Sequence, residues 1–138
     1  NLQLGVTVNA TATPATLFQN ADICGGPGIT FKPATTTNSG GAILTFTTSF
    51  GKYGNTSFTK KVWVGTRPAT LNVCTFPNNP QIYGATTINS PGISCGTSAI
   101  VPTNSDVTFI AETTNLNPGF EVPLGTQFEV IPEAISCP

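Results

Sequence analysis

Apolar and polar residues alternate without a break over residues 1–13. Leu2, Leu4, Val6, Val8, Ala10 and Ala12 fall on one face, and Asn1, Gln3, Gly5, Thr7, Asn9 and Thr11 on the other. A period of two predicts a half-buried β-strand, which Pro14 ends. It reads either as the first strand of a β-sandwich or as a strand donated to the groove of a neighbouring copy. In the second case Leu2, Leu4, Val6 and Val8 are the assembly residues. The chain opens directly on this strand, as donor strands do.

The period stays short further along. Residues 21–41 read as loops around one short strand, Ile29-Thr-Phe31. Residues 43–50 are rich in β-formers, residues 51–55 turn the chain, and residues 56–64 return with Phe58, Val62 and Val64 packing, which together predict a hairpin. No segment carries a helical period with caps. Thr66-Arg67-Pro68-Ala69 is the best candidate boundary. After it come short runs at 71–74, 81–83, 86–88 and 98–101, spaced about 6–12 residues apart with Pro or Gly between them, as in all-β folds.

Residues 106–130 continue this with Val107-Thr-Phe-Ile, Phe120-Glu-Val122 and Phe128-Glu-Val130, cut by Asn117-Pro118-Gly119 and Pro123-Leu-Gly125. The two Phe-Glu-Val copies stand eight residues apart and read as equivalent rungs of a stacked β structure. The expected architecture is all-β: a small β-sandwich over 1–68 with a long N-terminal strand, then a stacked short-strand module over 69–138.

Charged residues make up 8% of the 138, against a usual level of about a quarter, while hydrophobic content is 38%. Such a chain has enough apolar surface to fold and a neutral, hydroxyl-rich exterior. The net charge is −1, Lys60-Lys61 is the one adjacent basic pair and Arg67 the sole arginine, so nucleic acid is excluded as a partner. No apolar run approaches the roughly 20 residues of a membrane span.

Cys24, Cys74, Cys95 and Cys137 lie far apart with no histidine in the chain. That pattern disfavours zinc and favours two disulfides in an oxidising compartment. Four cysteines allow three pairings and the sequence does not choose among them; a local Cys74–Cys95 loop with a Cys24–Cys137 tie is the one we favour. N-x-[ST] tripeptides at Asn9 and Asn55 are compatible with export.

Candidate chemistry is sparse. Strand alternation buries Phe120, Val122, Phe128 and Val130 and sends Glu121 and Glu129 to the other face, about 5 Å apart if the rungs stack. That separation suits a retaining glycosidase, but a flat sheet face lacks the pocket, so surface carboxylates are the reading. Asp106 and Glu112 could join them around calcium, without any recognisable ligand loop. Trp63, Tyr53 and Tyr83 are a candidate sugar platform, with Trp63 also suited to anchor the two halves. Nucleophilic catalysis needs a base beside Ser, Thr or Cys, and none is in view. A lysine–asparagine isopeptide bond would need a buried lysine, with Lys32 and Lys60 the candidates.

Residues 104–130 resemble the three-coathanger stack domain found near the C-termini of secreted and surface proteins of Bacteroidota. The matching features are Val107-Thr-Phe109 with Ala111, Leu116-Asn-Pro-Gly-Phe120, and Glu121-Val122 with Gly125 and Phe128. The ending Ser136-Cys137-Pro138 fits, with serine where such tails often have glycine. Lys61-Val-Trp-Val-Gly-Thr-Arg-Pro looks like the closing strand of the immunoglobulin-like repeats that precede such stacks, although an early tryptophan strand is missing. The likeness covers residues 86–138 well and 43–68 loosely. It implies an immunoglobulin-like first half, secretion, and a structural or display role without catalytic residues.

The expectation is a non-enzymatic extracellular module of a surface, adhesin or filament protein. It takes no cofactor or metal, and its partners are other copies of itself or neighbouring domains. A carbohydrate-binding module is the alternative, with glycans as ligands.

Overall fold

The computed structural model describes residues 7–13, 18–24, 28–33 and 39–132, the first three of these segments as backbone pairing alone. The architecture is all-β. Strands β1 (Thr7–Thr13), β4 (Gly40–Ser49) and β5 (Asn55–Val64) form an antiparallel sheet in the order β1-β4-β5. Strands β2 (Phe18–Cys24) and β3 (Gly28–Pro33) pair as a separate hairpin with an irregularity between Phe18 and Ala21. Strand β3 contains the expected Ile29–Phe31 segment, whereas β2 carries Asn20 and Asp22 and has no strand signature of its own.

The β4–β5 hairpin forms where the β-formers predicted it. Its register runs from Gly40 opposite Val64 to Ser49 opposite Asn55. A one-turn 3-10 helix, Gly51–Tyr53, closes it, with Gly51 and Gly54 at positive φ of 61° and 97°. Those angles are open to glycine at little cost. Ala42, Leu44, Val62 and Val64 form a small buried cluster with Phe46 against it. Phe58 departs from the expected packing. It stands exposed and stacks on Phe46 directly across the strand pair, ring centres 4.9 Å apart, because this end of the hairpin has no covering layer among the described residues.

The second half is a parallel stack. Strands β6 (Thr70–Asn72), β7 (Gln81–Ser90), β9 (Asp106–Leu116) and β11 (Gln127–Ile131) form one all-parallel sheet in the order β11-β9-β7-β6. Across from it β8 (Ala99–Ile100) and β10 (Phe120–Glu121) make a short parallel pair. The runs at 81–83 and 86–88 are one strand with a bend. Thr86 and Thr87 both donate their N–H outward, to Pro68 and Ala69 O, and residues 112 and 113 of the next rung are both exposed.

Val107, Phe109 and Ala111 point into a core with Val73, Phe76, Ala85, Ile88, Ala99 and Val101. On the opposite face Thr108 and Ile110 are also fully buried, because that face is covered by the first half. A Cβ at Gly41 would collide with Ile82, and one at Gly84 would collide with the Trp63 ring. The strand is buried on both sides, which explains why its sequence is a continuous apolar run rather than an alternation. Thr108 Oγ1 has no hydrogen-bond partner in this interior. Thr108→Val keeps the shape and removes an unsatisfied hydroxyl, so it should raise stability by about 1 kcal/mol in urea titration. A loss of stability would show the hydroxyl to be bonded in solution.

The two Phe-Glu-Val copies are not rungs of one sheet. Phe120 and Glu121 belong to β10 and pair with β8, whereas Phe128, Glu129 and Val130 belong to β11 and pair with β9. The phenylalanines do meet, ring centres 5.0 Å apart, from opposite walls of the core. Val122 lies beyond the two-residue β10 and Val130 on the outermost strand, and both are exposed rather than buried.

Candidate functional site

The seam between the antiparallel sheet and the parallel stack brings Lys61, Asp106 and Glu129 together. Strand alternation on β5 sends Val62 and Val64 into their own cluster and turns Lys61 and Trp63 towards the stack. Lys61 Nζ donates to Asp106 Oδ1 at 2.7 Å and Oδ2 at 2.8 Å, and Glu129 Oε2 stands 3.8 Å away. A cleft of about 310 Å³ opens beside this pair, lined by Gly41, Ile43, Lys61, Gln81, Ile82 and Asp106. The lysine charge is engaged by two carboxylates, and Ile43, Pro80 and Ile82 supply apolar wall beside the polar Gln81. The arrangement joins sheets and offers no nucleophile–base pair. The lysine that meets a carboxylate is therefore neither of the two named for a crosslink. Lys60 sits on the opposite face of β5 from Lys61, and Lys32 lies on β3, whose side chains are outside the described residues.

Trp63, Tyr53 and Tyr83 do not share a surface. Tyr53 is in the hairpin turn, 74% exposed, with Lys52 Nζ 5.2 Å from its ring centre. Trp63 lies roughly 30 Å of extended strand away, its ring over Gly84 and its Nε1 donating to Thr66 O at 3.2 Å. Tyr83 packs edge-on to Phe76 and Phe109, and burial pushes its phenol pKa up. Trp63 packs between the two halves instead of joining a platform.

Cys74 and Cys95 are joined by a disulfide. It fastens the end of the first rung to the loop after β7, where Cys95 N–H donates to Gly92 O at 2.9 Å. Cys24 ends β2 but its side chain, like Cys137, lies outside the described residues, so the second tie does too. So do Leu2, Leu4 and Val6; the backbone of Val8 pairs with Thr48 of this chain's own β4. Glu112, Glu121 and Glu129 fall on three different strands, and no group of three acidic or cysteine side chains that could hold a metal occurs among the described residues.

A second arrangement has no counterpart in the expectations. Asn72, Asn89 and Asn115 occupy the same register position on β6, β7 and β9. Asn115 Nδ2 donates to Asn89 Oδ1 at 2.8 Å, and Asn89 Nδ2 donates to Asn72 Oδ1 at 3.2 Å. Thr70, Thr87 and Thr113 align two positions earlier, with Leu71, Ile88 and Thr114 between. The signal in the sequence is the tripeptide Thr-x-Asn at 70–72, 87–89 and 113–115, a pattern that occurs also at 7–9 and 36–38 and so does not by itself mark the ladder. The ladder copies are 17 and 26 residues apart, so no fixed period betrays them. The ladder can hold rungs in register and present a regular row of amide and hydroxyl groups. No helix among the described residues is long and apolar enough to cross a membrane. No family model, no curated protein and no solved structure matches this chain.

Proposed function

We propose that this chain is a non-enzymatic structural module of an extracellular surface, adhesin or filament protein, and that it carries tension. The observation that carries this reading is the parallel sheet with its asparagine ladder. Pulling on the start of β6 and the end of β11 loads parallel strands along their length. Backbone and side-chain bonds between rungs then resist together in shear, instead of opening one after another. The Cys74–Cys95 bond adds a covalent stop across the first two rungs and favours an oxidising compartment. The all-parallel stack also supports the likeness of residues 86–138 to the three-coathanger stack domain, and with it an address outside the cell. A glycan-binding role has no assembled aromatic platform to rest on among the described residues.

Single-molecule pulling on several copies of the chain fused in tandem tests this. Each copy should rupture in one high-force step, and Asn89→Ala should lower that force, since Asn89 bonds both neighbouring rungs. Extension at low force, unchanged by Asn89→Ala, would count against a load-bearing role.

A further inference from the structure

We propose that copies of this chain stack head to tail, the β6 edge of one copy adding to the open edge of β9 in the next, so that the asparagine ladder runs on from molecule to molecule. The partner is a second copy of the chain, and the inference rests on the structural reading above.

Three features of the two ends agree. The ladder is polar, because each asparagine donates in the same direction, from β9 through β7 to β6. This leaves the Asn72 amide N–H as a donor at one end and the Asn115 amide oxygen as an acceptor at the other, neither with a partner among the described residues. A contact between like ends would oppose donor to donor or acceptor to acceptor; only unlike ends complement each other.

The backbone phase agrees as well. Thr87 N–H donates to Ala69 O and Val73 N–H to Asn89 O, so Ala69, Leu71 and Val73 face β7 while Thr70 and Asn72 face out. At the other end Asn117 N–H donates to Ser90 O, so Thr113 and Asn115 face β7 and Thr114 faces out. If Thr70-Leu-Asn72 of one copy is laid on Thr113-Thr-Asn115 of the next, Thr114 N–H meets Thr70 O and Asn72 N–H meets Thr114 O. That is the pattern of the internal rungs, repeated without a shift.

Among the described residues the edge is also open. Strand β11 pairs with residues 106–110 only, and among the described residues no strand lies beside 111–116 on that side. Glu112, Thr113, Asn115 and Leu116 are exposed there. A joint between unlike ends does not close on itself as an isologous pair does, so it propagates from copy to copy into a ring or a fibre.

Sedimentation velocity of the full chain over a concentration series tests this with two variants. Asn72→Asp keeps the acceptor that Asn89 uses but removes the outward donor and sets a carboxylate against the Asn115 oxygen. It should weaken association about tenfold or more. Thr114→Pro removes an N–H that no internal rung uses and blocks the other end. At concentrations where the parent chain assembles and Asn72→Asp does not, each variant alone should be monomeric, while an equimolar mixture should give a dimer, since each supplies the end the other lacks. Asn72→Asp decides by itself if the proline disturbs β9. A wild-type chain monomeric to near-millimolar concentration overturns the proposal. So does assembly that survives Asn72→Asp but is lost on deleting residues 1–13, which would point to donation of the N-terminal strand instead. A monomer that still ruptures at high force would remove this contact and leave the load-bearing role standing.

Discussion

Phe109→Ala is expected to cost about 3–5 kcal/mol, the usual range for emptying a buried aromatic site. Phe109 is fully buried. Its ring lies 5.2 Å from that of Phe128, 5.7 Å from Tyr83, 6.1 Å from Phe76 and 6.4 Å from Phe120. It touches rings of the parallel sheet, of β10 and of the segment after β6 together. No neighbour can collapse into the space without leaving its own contacts, so the cavity term should be near the top of its range. Typical domains are stable by only about 5–15 kcal/mol, so a loss of this size removes a large share of the margin and should lower the melting temperature and the urea midpoint sharply. Thermal and urea denaturation measure it; a cost below about 1 kcal/mol would mean that the two walls of the stack do not close on this residue.

The second large effect is expected from the disulfide. Cys74 and Cys95 are 21 residues apart, and closing a loop of that size stabilises by about 3 kcal/mol through the unfolded state. Here it also holds the end of β6, a three-residue edge strand, beside β7. Reduction, or the double change Cys74→Ser with Cys95→Ser, should lower the urea midpoint accordingly. Amides of residues 70–73 should lose hydrogen-exchange protection before those of β9. Uniform loss across the sheet would mean that the bond stabilises globally without securing the first rung.

The strands of the fold were visible in the sequence mainly where one physical signal acted alone. The hairpin of β4 and β5 is announced by its β-formers and by the glycines at positive φ. The Val107–Ala111 run is announced as a strand by its β-branched and aromatic residues, but its burial on two faces depends on β5 lying behind it. Parallel pairing is not legible in a period of two, which is the same for either direction. The repeated Phe-Glu-Val reads as a ladder because its copies match in composition, yet β8 and β9 claim one copy each. The true ladder, Thr-x-Asn, is a weaker pattern at unequal spacing, since the crossovers between its rungs differ in length. Alternation assigns Trp63 to a face, but its partner is Gly84, a residue with no side chain to advertise the contact.

Both the load-bearing role and the head-to-tail joint depend on the three Thr-x-Asn segments lying parallel and in register. Nuclear Overhauser contacts in the oxidised chain test that directly. Contacts are expected from the Asn89 side-chain amide to both Asn72 and Asn115, and from the Ile88 methyl groups to Leu71 on one side and Thr114 on the other. Contacts of Asn89 with residues two or more positions away from these, or none between the three segments, would contradict the shared register.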